Sequence, residues 1–125
     1  MDRWGQTGKP PWRVLAVDDE ALVGKVVRRC LVTRGLEVVV HTDVRQALQT
    51  SPPPDLLVLD LMMPDLDGVA FALRARQQWL DVPIVFVTGG GPPALLARAR
   101  ELGPVLDKPV SCQELADTVL EILAK

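Results

Sequence analysis

With 125 residues, 48% of them hydrophobic and 24% charged, the chain suits one soluble domain with a real core. A net charge of −2 gives no electrostatic case for nucleic-acid contact, and no apolar run approaches the ~20 residues of a membrane span. Met1 to Trp12 lacks the apolar stretch of a secretory signal, so the cytoplasm is the expected compartment.

Residues 1–12 are polar, carry glycine and proline, and show no periodicity. They are expected to form a flexible tail ahead of a domain spanning 13–125, with Trp12 packed where the first strand begins. Arg13 to Val17 is the first predicted strand. Asp18, Asp19 and Glu20 follow it, and their bland role is to cap and compensate the helix they open. Val23, Val26, Val27, Cys30 and Leu31 recur at helical spacing and predict one buried stripe. Gly35 ends that helix. Leu36 to His41 is the second strand, and its lone histidine reads as a solvated edge residue. Thr42 and Asp43 can cap a short helix over 44–49, after which three prolines make a stiff connector.

The run Leu56-Leu57-Val58-Leu59 reads as a strand buried on both faces. It ends in Asp60, followed by Leu61-Met62-Met63-Pro64-Asp65-Leu66-Asp67-Gly68, which opens the third helix. Ile84 to Thr88 is the fourth strand. Gly89, Gly90 and Gly91 then permit close approach of a ligand but form no P-loop, since no Gly-Lys-Ser/Thr follows. Pro93 suits the first turn of the fourth helix, which Gly103 caps. Pro104 to Asp107 is a short fifth strand closed by Lys108-Pro109. Ser111 and Glu114 form a capping box for the last helix, with Leu115, Val119, Ile122 and Leu123 inward. Five strands alternating with five helices predict an α/β fold, a parallel sheet with helices on both faces.

Cys30 and Cys112 lack metal-type spacing. Cys30 falls about ten residues into one helix, whereas Cys112 opens another. If both helices start at the same sheet edge, the two lie roughly 15 Å apart along the helix direction. Two separate buried or semi-buried thiols are therefore expected, not a disulfide.

Four of the five strands, ending at Asp18-Asp19, Asp60, Thr88 and Asp107-Lys108, deliver polar groups at the carboxyl end, where open α/β sheets bind ligands. If Asp18, Asp19 and Asp60 converge, two such charges at 4 Å repel by about 4 kcal/mol at an effective dielectric of 20. The cluster then needs a cation, and a few hard oxygen ligands suit Mg²⁺. A metal, the Lys108 amine and the Thr88 hydroxyl could together hold a phosphoryl group, and a neighbouring carboxylate could take it as an acyl phosphate.

These residues resemble the receiver domain of bacterial two-component response regulators. The resemblance rests on Asp18-Asp19, the Asp60 to Gly68 run, Thr88-Gly89 and Lys108-Pro109, and covers residues 13–125. It implies a flavodoxin-like five-stranded sheet in the order 2-1-3-4-5. It further implies that Asp60 accepts a phosphoryl group from a sensor histidine kinase or a histidine phosphotransfer protein. Mg²⁺ would be held by Asp19, Asp60 and the Met62 backbone carbonyl, with Asp18 assisting. Thr88 and Lys108 would contact the phosphoryl group, Gly89 would leave it room, and the Lys108-Pro109 bond would be cis. The chain would be a signalling switch, not an enzyme.

Two features depart from the family. Val105 stands where an aromatic switch residue is usual, and the 103–108 stretch is about two residues short. The signal is then expected to leave through the glycine loop 89–91. The acidic final helix lacks arginine, which leaves room for no more than a weak dimer. Two other readings are weighed. A phosphatase of the haloacid dehalogenase class needs a second acid where Met62 stands. A phosphorylation-independent pseudo-receiver, serving as a protein-interaction module, would usually have lost a site residue, and all five are present. The sequence reads either as a stand-alone receiver or as a piece of a longer protein.

Overall fold

A computed structural model describes residues 11–125. The elements alternate: β1 (Arg13–Val17), α1 (Ala21–Val32), β2 (Glu37–His41), α2 (Val44–Leu48), β3 (Leu56–Leu59), α3 (Gly68–Gln78), β4 (Ile84–Thr88), α4 (Pro93–Leu102), β5 (Val105–Asp107) and α5 (Cys112–Leu123). The five strands form one sheet in the order β2-β1-β3-β4-β5, and every pairing is parallel.

Successive strand residues point to opposite faces, so the unbroken apolar runs feed two cores at once. Leu15, Val17, Leu57, Leu59 and Phe86 pack with α2, α3 and α4 residues such as Ala47, Val69, Ala72 and Ala99. Val14, Ala16, Leu56, Val58 and Val87 pack with Val27 and Leu31 of α1 and with Leu115 and Val119 of α5. All four residues of β3 are buried. At about 1.5–3 kcal/mol per fully buried large aliphatic side chain, this central strand is a major source of stability. Its start is fixed by Asp55, whose amide donates to the Arg13 carbonyl and whose carboxylate accepts from the Arg13 amide, both at 2.7 Å.

Several local expectations hold. Trp12 is half-buried against the second core. Asp43 caps α2 by accepting from the Arg45 amide, and Ser111 caps α5 by accepting from the Glu114 amide. Gly35 sits at φ 86°, the left-handed region that favours glycine after a helix. The Lys108-Pro109 bond is cis, as the resemblance implies. Trp4 and most of the proposed tail lie outside the described residues.

Three expectations change. Val26 is 50% exposed, because the buried face of α1 centres on Gly24, Val27, Cys30 and Leu31. Gly103 does cap α4, its amide donating to the Ala99 carbonyl, but in extended backbone with φ 171°. Glycine is needed there for space, because a Cβ would collide with the Ile84 carbonyl oxygen. The largest correction concerns the cysteines. Cys30 and Cys112 are joined in a disulfide, with Cα atoms 5.2 Å apart. The expected separation supposes that α5 begins at the sheet edge. Instead residues 108–111 form no helix. Lys108, Pro109 and Val110 line a groove with Val23, Val26, Val27 and Cys30 of α1. Four non-helical residues can span up to about 13 Å, which cancels the expected offset and starts α5 beside Cys30.

Candidate functional site

Because all strands run the same way, their carboxyl ends share one rim. Asp18 and Asp19 follow β1, Asp60 follows β3, Thr88 closes β4, and Lys108 follows β5. Backbone hydrogen bonds lock these ends together. The Asp60 amide donates to the Val17 carbonyl at 2.9 Å, and the Lys108 amide donates to the Thr88 carbonyl at 2.8 Å. The Asp18 amide donates to the His41 carbonyl at 3.2 Å.

The loop after Asp60 is held by Gly68. Its amide donates to the Leu61 carbonyl at 2.7 Å. A Cβ on Gly68 would collide with the Asp60 carbonyl oxygen. Asp67 is occupied elsewhere, capping α3 by accepting from the Ala70 amide at 2.8 Å. Of the acids in this run, Asp60 is the one that joins the acidic cluster with Asp18 and Asp19.

Asp18, Asp19 and Asp60 each offer a carboxylate oxygen, and these oxygens lie within 4.8 Å of one another. Asp18 and Asp60 are buried, while Asp19 is exposed. Lys108 Nζ lies 3.0 Å from Asp18 Oδ2, 3.5 Å from Asp60 Oδ1 and 3.5 Å from Glu20 Oε1. Burial pushes the Asp60 carboxyl up to about 6, the Asp18 and Asp19 charges and an Asp19 hydrogen bond adding to the rise while Lys108 opposes it. Burial pulls the Lys108 amine down, but the Asp18 hydrogen bond and the Asp18, Asp60 and Glu20 charges together raise it.

An open cleft of about 280 Å³ joins Asp19, Glu20, Asp60, Met62, Thr88, Gly89, Gly90 and Lys108. Of the residues expected at the site from sequence, all but Asp18 line this cleft. Asp18 sits just behind it, on the lysine. Thr88 is fully buried, and its hydroxyl is engaged in a turn. It donates to the Gly90 carbonyl at 2.9 Å and accepts from the Gly90 amide at 3.2 Å. Gly90 has φ 127°, which this turn requires. Added carbon at Gly89 meets nothing within 4 Å, so that side of the cleft is open.

Sequence reasoning missed Glu20 as a site residue. Its expected role is a cap, yet its side chain makes no capping bond to α1. Instead the Asp18 carboxylate accepts from the Glu20 amide at 2.9 Å, which turns the Glu20 carboxylate toward Lys108. The acidic triplet after a strand was the available signal. Three carboxylates against one amine leave an excess of negative charge. Hard oxygen donors at this spacing fit a divalent cation of the Mg²⁺ type better than a metal that prefers nitrogen or sulfur.

Residues 14–120 match the family model described as response regulator receiver domain. The chain belongs to this family. The receiver is 34% identical over 119 residues to response regulator MprA of Mycolicibacterium vanbaalenii, covering 92% of this chain and 52% of that protein. It is 33% identical over 117 residues to the alkaline phosphatase synthesis transcriptional regulatory protein PhoP of Bacillus subtilis, covering 90% of this chain and 49% of PhoP. The chain thus spans about half the length of these relatives. Among solved structures, the receiver resembles the signal receiver domain of an HD domain-containing protein from Pseudomonas fluorescens. The TM-score is 0.83 at 26% identity, over 92% of this chain and 96% of that one. As a response regulator receiver it is part of two-component signalling, and neither the phosphatase nor the pseudo-receiver reading is favoured. No described helix is long and apolar enough to cross a membrane.

Proposed function

We propose that Asp60 is the phosphoacceptor of a receiver unit spanning residues 13–125, and that its phosphorylation is the signalling event. The observation that supports this best is the pairing of Lys108 with Asp60, at 3.5 Å, beside a second and third carboxylate. A phosphohistidine on a sensor histidine kinase or a histidine phosphotransfer protein is the donor. An Asp60 carboxylate oxygen attacks phosphorus. The O–P bond forms, the P–N bond breaks, and its electron pair returns to the imidazole, which takes a proton. The product on this chain is an acyl phosphate.

Mg²⁺ would be held by Asp18, Asp19 and Asp60 with the Met62 backbone carbonyl. When bound it supplies positive charge opposite the phosphoryl oxygens. Lys108 offsets a further charge on the incoming group. Thr88 hydrogen-bonds that group after leaving Gly90, and Gly89 gives it room. The chain acts as a switch in the cytoplasm and not as a turnover enzyme. Any self-association is weak, and no nucleic acid is contacted by these residues.

Incubation with acetyl phosphate and Mg²⁺, read by intact mass, tests the reading. One phosphoryl group should be gained, and Asp60→Asn should abolish the gain. No gain in the wild type, or a gain that persists in Asp60→Asn, overturns the assignment.

A further inference from the structure

Lys108 reaches the site from a connector with unusual anchoring. At one end its ammonium is held by Asp18, 3.0 Å away. At the other end, four residues on, Cys112 is tied covalently to Cys30 of α1. Between them, residues 108–111 form no helix. Pro109 and Val110 line a groove of about 460 Å³ together with Val23, Val26 and Val27 of α1. Within the connector the Lys108 amide donates to the Thr88 carbonyl and Val110 packs part-buried against the second core, while Pro109 is exposed beside the groove. Packing therefore holds the connector only in part, and the disulfide closes its far end.

The two sulfur-bearing residues differ in exposure. Cys30 is 3% exposed and rooted in the core face of α1, whereas Cys112 is exposed at the start of α5. Cys112 is therefore the half of the pair that an external thiolate would meet first.

We propose that Cys30–Cys112 is a thiol–disulfide exchange site whose state sets how firmly Lys108 is held at the phosphoacceptor. The proposal deepens the reading of Asp60 as phosphoacceptor and rests on it for one of its two readouts. The reductant is a dithiol. One of its thiolates attacks Cys112 Sγ, forming a mixed disulfide. Cys30 Sγ leaves with the electron pair of the old S–S bond and takes a proton. The second thiol of the reductant attacks its own sulfur in the mixed disulfide, and Cys112 leaves as a thiolate and is protonated. Two electrons and two protons pass from the dithiol to the protein, and the reductant ends as a disulfide. Reduction frees the far end of the connector, so Lys108 is less well pre-positioned for the incoming phosphoryl group.

The test uses the whole chain and dithiothreitol under native conditions. Alkylation followed by intact mass should count two new thiols. The oxidised form should take up phosphoryl from acetyl phosphate and Mg²⁺ about threefold faster, or more, than the reduced form. Cys112→Ser should match the reduced form and be insensitive to dithiothreitol. A disulfide that opens only after denaturation overturns the proposal. So do equal rates in the two forms, or an equal dithiothreitol effect on Cys112→Ser. If no form is phosphorylated, the phosphoacceptor assignment fails separately. The amide shifts of Lys108 in oxidised and reduced protein then decide. Coincident shifts overturn the exchange-site proposal, and displaced shifts that Cys112→Ser reproduces support it.

Discussion

Lys108 Nζ lies 3.0 Å from Asp18 but 3.5 Å from Asp60. Asp18 thus holds the amine beside Asp60 without surrendering Asp60 to a tight ion pair. The same Asp18 charge helps to raise the Asp60 carboxyl to about 6. Asp18→Asn should therefore bring Asp60 down toward its ordinary range, as read by a carbon-13 carboxyl titration of metal-free protein. An unchanged or higher Asp60 value would show that Asp18 does not set the local field.

Stability should carry the mark of Asp60. Its folded-state value of about 6 exceeds the ordinary 3.8, so the folded protein favours the neutral acid. Ionisation then costs stability progressively as pH rises from about 4 to about 6, and in full above that. The ceiling is about 3 kcal/mol, since each tenfold change in acidity is worth roughly 1.4 kcal/mol. Metal-free Asp60→Asn should accordingly be more stable than wild type at pH 7 in urea unfolding. The gain should shrink toward pH 4 and should also shrink when Mg²⁺ offsets the cluster. A variant no more stable at pH 7 would contradict the raised value.

Glycine substitutions should separate space from flexibility. Gly103→Ala places a methyl against the Ile84 carbonyl, and Gly68→Ala places one against the Asp60 carbonyl. Each should destabilise by roughly 1–3 kcal/mol, since backbone must shift to admit the carbon. Only Gly68→Ala should also slow phosphoryl uptake, because only it displaces Asp60. Gly89→Ala, with open space around its added carbon, should leave the melting temperature within a few degrees of wild type. A Gly103→Ala protein as stable as wild type would refute the close approach of the two segments.

Output should pass through the 89–91 loop. Val105 is half-buried against the first core and offers no aromatic ring to change rotamer. The Thr88 hydroxyl, by contrast, is bonded to both the amide and the carbonyl of Gly90. If Thr88 turns to a phosphoryl group, it must release both bonds, so Gly90 must respond. Beryllofluoride with Mg²⁺ should shift the Gly90 and Gly91 amides more than that of Val105. Shifts confined to Asp60 and its immediate neighbours would exclude this route.

Most of the fold was legible because burial on both sheet faces leaves unbroken apolar runs, such as Leu56 to Leu59, that turn residues punctuate. Strand ends then fall at Asp18, Asp60, Thr88 and Lys108, and parallel pairing alone brings them to one rim. Motif spacing likewise conveyed the family, because the chemistry needs those residue types at those ends. What only the tertiary structure decided depends on paths and gaps between elements. Glu20 became a site residue because Asp18 turned back on its amide. Gly103 proved necessary because the chain passes against Ile84, a neighbour distant in sequence. Cys30 met Cys112 because four non-helical residues run alongside α1 before α5 begins. Local sequence encodes periodicity and caps, but the route of a connector depends on what it packs against, and that exists only once the sheet has formed.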